Sequence, residues 1–191
     1  MRPTVAPLGL GLAHLVRLLL HCGKLLSDPL SNPLIPAENF DEYWQAWFDG
    51  SARPNPGEIG IGVILCTPDG IRYEKSERLA GQGCNNEAEL RALCALLELA
   101  FAAGARRLRV RGDSDVAIRY VNGPATTEIE PLHTLLMHAR AWLERFDAVH
   151  LSWIPQRRNG EADRLARQAL GLPERLAVVP KRKRHRFHRV R

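Results

Sequence analysis

The sequence predicts an α/β domain built on a five-stranded mixed sheet flanked by helices. Three observations carry that prediction. Residues 43–80 contain three strand-like runs joined by short turns, the pattern of an antiparallel meander. From residue 86 onward the apolar period changes from two to 3.6, and helical segments alternate with two short strands. With 191 residues, 45% hydrophobic and 25% charged, the chain can bury a normal core, which excludes fibrous and wholly disordered classes.

The elements follow in order. Strand 1 is the aromatic run Tyr43–Phe48, expected to end on Asp49, and the turn Pro54-Asn55-Pro56-Gly57 reverses the chain. Strand 2 is "EIGIGVILCT" and strand 3, after the turn "PDG", is "IRYEKSERLA". A helix is expected over 86–103, with Leu90, Leu93, Leu97 and Phe101 as its apolar stripe and Asn86 suited to its N-cap. "RLRVRG" alternates basic and apolar residues as a fourth strand, and "SDVAIRYVNG" and "EIEPLHTLLMHARAWLERF" read as helices. "AVHLSWIP" is a fifth strand, and "NGEADRLARQALG" is a last helix closed by Gly171. Residues 42–171 thus form the expected domain, with residues 1–41 before it and 172–191 after it.

The flanks differ from the body. The net charge of +6 comprises +7 from the last eleven residues, "KRKRHRFHRVR", and +3 from residues 1–24, leaving −4 between them. A basic tail on a mildly acidic body points to a polyanion, with a phosphate backbone the expected partner of residues 172–191, a segment expected to be disordered. Within 1–41, Leu8, Leu12, Leu15, Leu19 and Leu26 share one helical face, and His14, Arg17, His21 and Lys24 another. That pattern is an amphipathic basic helix followed by a Pro-rich linker; Arg17 and Lys24 break the run well short of a membrane span of about 20 residues. Cys22, Cys66, Cys84 and Cys94 show no metal-site spacing, so reduced thiols in a cytoplasmic protein are expected, and a monomer is favoured.

Four acids do not suit their elements. Asp49 ends an apolar strand, where a carboxylate is costly unless compensated. Glu89 borders the apolar side of the long helix, Asp113 directly follows the fourth strand, and Asp163 shares a face of the last helix with Ala166 and Leu170. Each of the last three has a structural alternative. Glu89 favours a helix N-terminus, Asp113 or Ser114 can cap a short helix, and Asp163 can pair with Arg167 at i+4. Taken together, carboxylates converging at one sheet edge repel unless hard divalent cations neutralise them, and Mg²⁺ prefers such oxygen ligands. Two ions about 4 Å apart can activate a water on one side of a phosphodiester and stabilise the leaving oxygen on the other.

"DGSARPNPG", "NNEAEL", "GDSDVAIRYVNG" and "NGEADRLA" resemble, in order, the successive motifs of type 1 ribonuclease H, with the acids spaced by 40, 24 and 50 residues. The resemblance covers residues 42–171. It implies the ribonuclease H-like fold, with strands 1–3 antiparallel and strands 4 and 5 parallel to strand 1. It implies endonucleolytic hydrolysis of the RNA strand of RNA–DNA hybrids by two metal ions, Mg²⁺ or Mn²⁺, leaving a 5′-phosphate and a 3′-hydroxyl. By position, Asp49, Glu89, Asp113 and Asp163 match the catalytic, metal-binding carboxylates. Asn55, Asn85, Asn86, Ser114, Arg157 and Arg158 fall where the hybrid is contacted; amides suit a 2′-hydroxyl because they both donate and accept.

The pattern also departs from the family. Cys84 replaces a common threonine, and Asp115 a common glutamine. "PQRRN" lacks the histidine found in that loop of the familiar bacterial enzyme, and no basic protrusion lies between Asn122 and Leu132, which suggests the compact subgroup. A catalytically silent nucleic-acid-binding module is the alternative, and the presence of all four acids argues against it. A 3′–5′ exonuclease on a related fold would need an acid at Ser51.

Overall fold

The computed structural model describes residues 42–124 and 126–173. The amphipathic basic helix and linker expected within 1–41, and nearly all of the basic tail, lie outside the described residues. β1 (Trp44–Arg53), β2 (Gly57–Cys66) and β3 (Arg72–Gly83) form an antiparallel meander. α1 (Asn85–Ala102), β4 (Arg107–Gly112), α2 (Asp115–Asn122), α3 (Glu130–Leu143), β5 (Ala148–Trp153) and α4 (Gly160–Ala169) follow. A single 3₁₀ turn over Gln156–Arg158 precedes α4. The sheet order is β3-β2-β1-β4-β5, with β4 parallel to β1 and β5 parallel to β4. The expected mixed sheet is therefore the observed one.

Strand periodicity decides which face holds the core. Phe48 of β1, Ile59, Ile61, Val63 and Leu65 of β2, and Leu108 and Val110 of β4 all point to one side and are buried. α1 covers that face, with α3 stacked behind it, so α1 is buried on more than the single stripe its sequence suggests. Ala88, Ala92, Leu96 and Ala100 are buried along with Leu90, Leu93 and Leu97. Each fully buried Leu, Ile or Phe contributes about 1.5–3 kcal/mol from apolar transfer. Cys94 lies in this layer; burial pushes its thiol up to about 12, with the Glu98 charge adding to the effect, so it is packing and not a reactive group. α4 packs on the opposite face over a thinner core of Ile64, Ala162 and Leu165.

Three boundaries differ from expectation. β1 does not stop at Asp49 but continues to Arg53, because β2 goes on pairing with it as far as Arg53↔Glu58. β3 runs on to Gly83 through a bulge, where the register moves from Ile59↔Leu79 to Glu58↔Gln82. α1 begins at Asn85, and its N-cap is Cys84, not Asn86; the Cys84 backbone N–H donates to the Glu87 carboxylate (2.8 Å). Among the described residues no helix is long and apolar enough to cross a membrane.

Candidate active site

The parallel pairing of β1 with β4 ends at Trp47↔Arg111, and β4 itself ends at Gly112. Beyond that point β1 runs on with β2 alone, and a notch opens on its β4 side. Asp49 lies in the strand at the edge of this notch, and Asp113 is the first residue after β4. The carboxylate that looked misplaced at a strand end is therefore inside a strand whose neighbour has ended.

Close packing supplies the third acid. At Gly50 an added Cβ would overlap the backbone of Ala88 and Glu89, so only glycine lets the first turn of α1 lie directly against β1. The Gly50 N–H in turn donates to Glu89 Oε2 (3.2 Å). One carboxylate oxygen each from Asp49, Glu89 and Asp113 then lies within 4.8 Å of the other two. Asp49 is buried, and Glu89 and Asp113 are half-buried.

The last helix enters from the other face. At Gly62 of β2 an added Cβ would meet the Ala162 carbonyl, so glycine is what seats α4 on the sheet. The residue before α4, Asn159, is 1% exposed and bridges two of the acid-bearing elements. Its Nδ2 donates to the Phe48 carbonyl of β1 (2.8 Å) and to Asp113 Oδ1 (2.6 Å). Its own carbonyl accepts from the Asp163 N–H in the first turn of α4 (3.0 Å). Asp163 is buried, stands outside the three-acid group, and lies 4.0 Å from Arg167 Nε, the i+4 pair the sequence offers.

The amides expected to meet substrate form one rim. Asn55 Oδ1 accepts from the Asn85 N–H (3.0 Å), and Asn85 Oδ1 accepts from the Ala52 N–H (2.9 Å), which ties the turn after β1 to the start of α1. Asn86 is exposed and borders an open groove with Leu90, Val116, Tyr120 and Ile129. Ser114 caps α2, its Oγ accepting from the Ala117 N–H (3.2 Å). Arg157 and Arg158 are exposed on the 3₁₀ turn, on the side of Asn159.

Sequence reasoning misses Asn159 and Trp153. Asn159 sits in the "NGEAD" motif, where Asn before Gly reads as an ordinary helix start. Trp153 reads as a strand residue, yet it is 52% exposed and its Nε1 donates to the Asp113 carbonyl (3.0 Å). Only the placement of Asp113 gives either residue its meaning.

The crowding of acids has an electrostatic signature. Burial, followed by the charges of Asp49 and Asp113 and, more weakly, Asp163, pushes the Glu89 carboxyl well above the usual range, and the Gly50 N–H only partly offsets this. A carboxyl whose folded value is raised holds its proton after the unfolded chain, titrating near 4.3, has released it. Stability is thus greatest below that pH and falls as pH rises through the folded value. In EDTA, the melting temperature of the protein is expected to decline from pH 4 towards pH 8, and Glu89→Gln to flatten that decline. A decline of equal steepness in the variant would assign the effect to other groups.

A mixed sheet in the order 3-2-1-4-5, with acids gathered where β4 leaves β1, defines a ribonuclease H-like α/β protein. Residues 47–169 match the family described as reverse transcriptase-like. Ribonuclease HI of Halobacterium salinarum is 35% identical over 125 residues, covering 65% of this chain and 63% of that protein, so the chain spans under two thirds of that relative. The crystal structure of RNase H1 from the same archaeon superposes with a TM-score of 0.64 at 35% identity, covering 68% of this chain and 98% of that one. LC11-RNase H1, isolated from compost and solved in complex with an RNA/DNA hybrid, gives 0.61 at 29% identity, covering 67% and 96%. The chain belongs to the type 1 ribonuclease H family.

Proposed function

We propose that this protein is a metal-dependent endoribonuclease that hydrolyses the RNA strand of RNA–DNA hybrids. The observation that carries this reading is the convergence of Asp49, Glu89 and Asp113 within 4.8 Å at the end of β4. Three hard oxygen donors so close repel one another when ionised, and they form a donor set suited to Mg²⁺ or Mn²⁺. Asp49, Glu89 and Asp113 would hold the cations, with Asp163 completing the set from α4. Bound cations supply the activation of a water for attack on phosphorus and the stabilisation of the departing 3′ oxygen, leaving a 5′-phosphate.

The protein's own part is to hold and orient. Asn159 fixes the Asp113 carboxylate against β1, and Gly50 fixes Glu89. Asn55, Asn85 and Asn86 present amides along one rim for the sugar and base edges, where a 2′-hydroxyl can both donate and accept a hydrogen bond. The Ser114 oxygen serves the cap of α2, which leaves its hydroxyl proton to donate to a substrate acceptor. Arg157 and Arg158 supply positive charge at the opposite rim, but a guanidinium cannot take up a proton as a base. The basic terminal cluster is assigned contact with the phosphate backbone on charge alone. Reduced thiols at Cys84 and Cys94 fit a reducing cytoplasm.

The test is an end-labelled RNA–DNA hybrid beside duplex RNA, duplex DNA and each single strand, with Mg²⁺, Mn²⁺ or EDTA. Internal cuts confined to the RNA of the hybrid, and lost in EDTA, are expected. Hybrid binding with no cleavage under either metal would instead establish the silent module, and stepwise shortening from a 3′ end an exonuclease.

A further inference from the structure

The face of the sheet that carries α4 is covered by that helix over β1, β2 and β3. Among the described residues, no helix lies over β4 and β5 on this side. Side-chain alternation puts Arg107, Arg109 and Arg111 there in one row, since Leu108 and Val110 point into the core. The neighbouring rows come from Gln45↔Arg109↔His150 and Trp47↔Arg111↔Ser152. Over the stretch where β1, β4 and β5 pair, no residue of this face is acidic.

Aromatic rings and an amide lie against the row. Arg107 and Arg109 lie over the Tyr43 ring (5.9 and 5.1 Å), and Arg111 lies over Trp47 (5.1 Å) while donating to Gln45 Oε1 (2.9 Å). Glu42 pairs with Arg107 at the far end (2.9 Å). Stacking on a ring orients a guanidinium without neutralising it.

We infer that this arginine row is a docking track for a single-stranded nucleic acid, namely the unpaired extension of a hybrid whose duplex part occupies the carboxylate site. The row leads straight to that site, because Arg111 lies two residues before Asp113. Alternate residues of a strand are about 6.7 Å apart, so the three arginines can meet successive phosphates of an extended strand. A flat row of cations set among aromatic rings suits a flexible single strand. The clusters at both chain ends are basic and do not complement it. Asp28, Glu38 and Asp41, in the segment before β1, are the competing occupants from within the chain. The assignment rests on the reading of the site as one for hybrids.

The test uses the full chain in EDTA, with fluorescein-labelled U20 and dT20 followed by anisotropy across a salt series. For Arg107→Gln/Arg109→Gln/Arg111→Gln, the slope of log K against log salt is expected to become shallower by about 2, since each phosphate left without its arginine accounts for about 0.7. Affinity at 0.1 M salt should fall at least fivefold. Weakening for U20 and dT20 alike assigns the interaction to phosphate, and weakening for U20 alone assigns it to RNA. Cleavage of a blunt hybrid in Mg²⁺ is expected to stay within twofold of wild type; failure of the wild type itself to cleave would overturn the functional reading and with it the hybrid extension as occupant, an outcome distinct from a failure of the track, which the anisotropy alone reads. Unchanged affinity and slope in a folded variant would overturn the track, and would mean that the chain's own acids cover the face. Should the triple variant not fold, Arg107→Gln/Arg109→Gln is judged in the same way, with a slope change of about 1.4.

Discussion

Asp49→Asn is expected to lower the rate of hybrid cleavage by at least about a thousandfold while leaving the domain folded. Metal-ion stabilisation of charge in the transition state is worth several kcal/mol, and about 4 kcal/mol corresponds to a thousandfold in rate. Asp49 is 5% exposed and shares the notch with two other acids, so its charge contributes repulsion and not stability when metal is absent. Asn keeps the shape, can still accept a hydrogen bond, and removes that charge. In EDTA the variant should therefore melt at or above the temperature of the wild type, and in Mg²⁺ it should lose the stabilisation that a bound cation gives. Single-turnover cleavage beside paired melting curves checks both parts. A variant that unfolds in EDTA would show that Asp49 holds the fold together and is not held in place by it.

The second large effect is expected at Asn159. Asn159→Ala removes the amide that donates to both the Phe48 carbonyl and Asp113 Oδ1, and it leaves a buried void. Stability should fall by about 2–3 kcal/mol, the cost of buried acceptors left without partners. A freed Asp113 carboxylate should also weaken cation binding by about 10- to 100-fold, the usual consequence of removing a partner that orients a metal ligand. Asn159→Asp is the sharper variant: it puts a carboxylate where an amide now donates across 2.6 Å to Asp113. It should bind metal worst near neutral pH and partly recover on acidification, as one of the pair takes a proton. Denaturant unfolding in EDTA reads the first effect, and Mn²⁺ titration by calorimetry reads the second. Equal metal affinity in wild type and Asn159→Ala would reduce the residue to a packing role.

These two positions differ in how visible they were. Asp49 stood out because charge conflicts with an apolar strand, a local contradiction that needs no tertiary information. Asn159 gave no such signal. Asn before Gly at a helix start satisfies every local preference, and its burial depends on α4 settling into the space left at Gly62. The meander was legible for the same local reason as Asp49, since alternation and turn residues lie within a few positions of each other. Strand ends were less legible, because each ends where its neighbour does. β1 reaches Arg53 on account of β2, and β3 reaches Gly83 through a bulge that "LAGQG" does not announce.

By itself, the sequence determined which acids are present, their order and spacing, and the pattern of apolar faces, because these follow from residue type and period along one chain. The tertiary structure alone decided that Asp49, Glu89 and Asp113 form the close group while Asp163 stands beside Arg167. It alone decided that three arginines of β4 share the side α4 leaves open. Distances across a sheet are set by where pairing stops and how closely a helix can approach, and both depend on residues far apart in the chain.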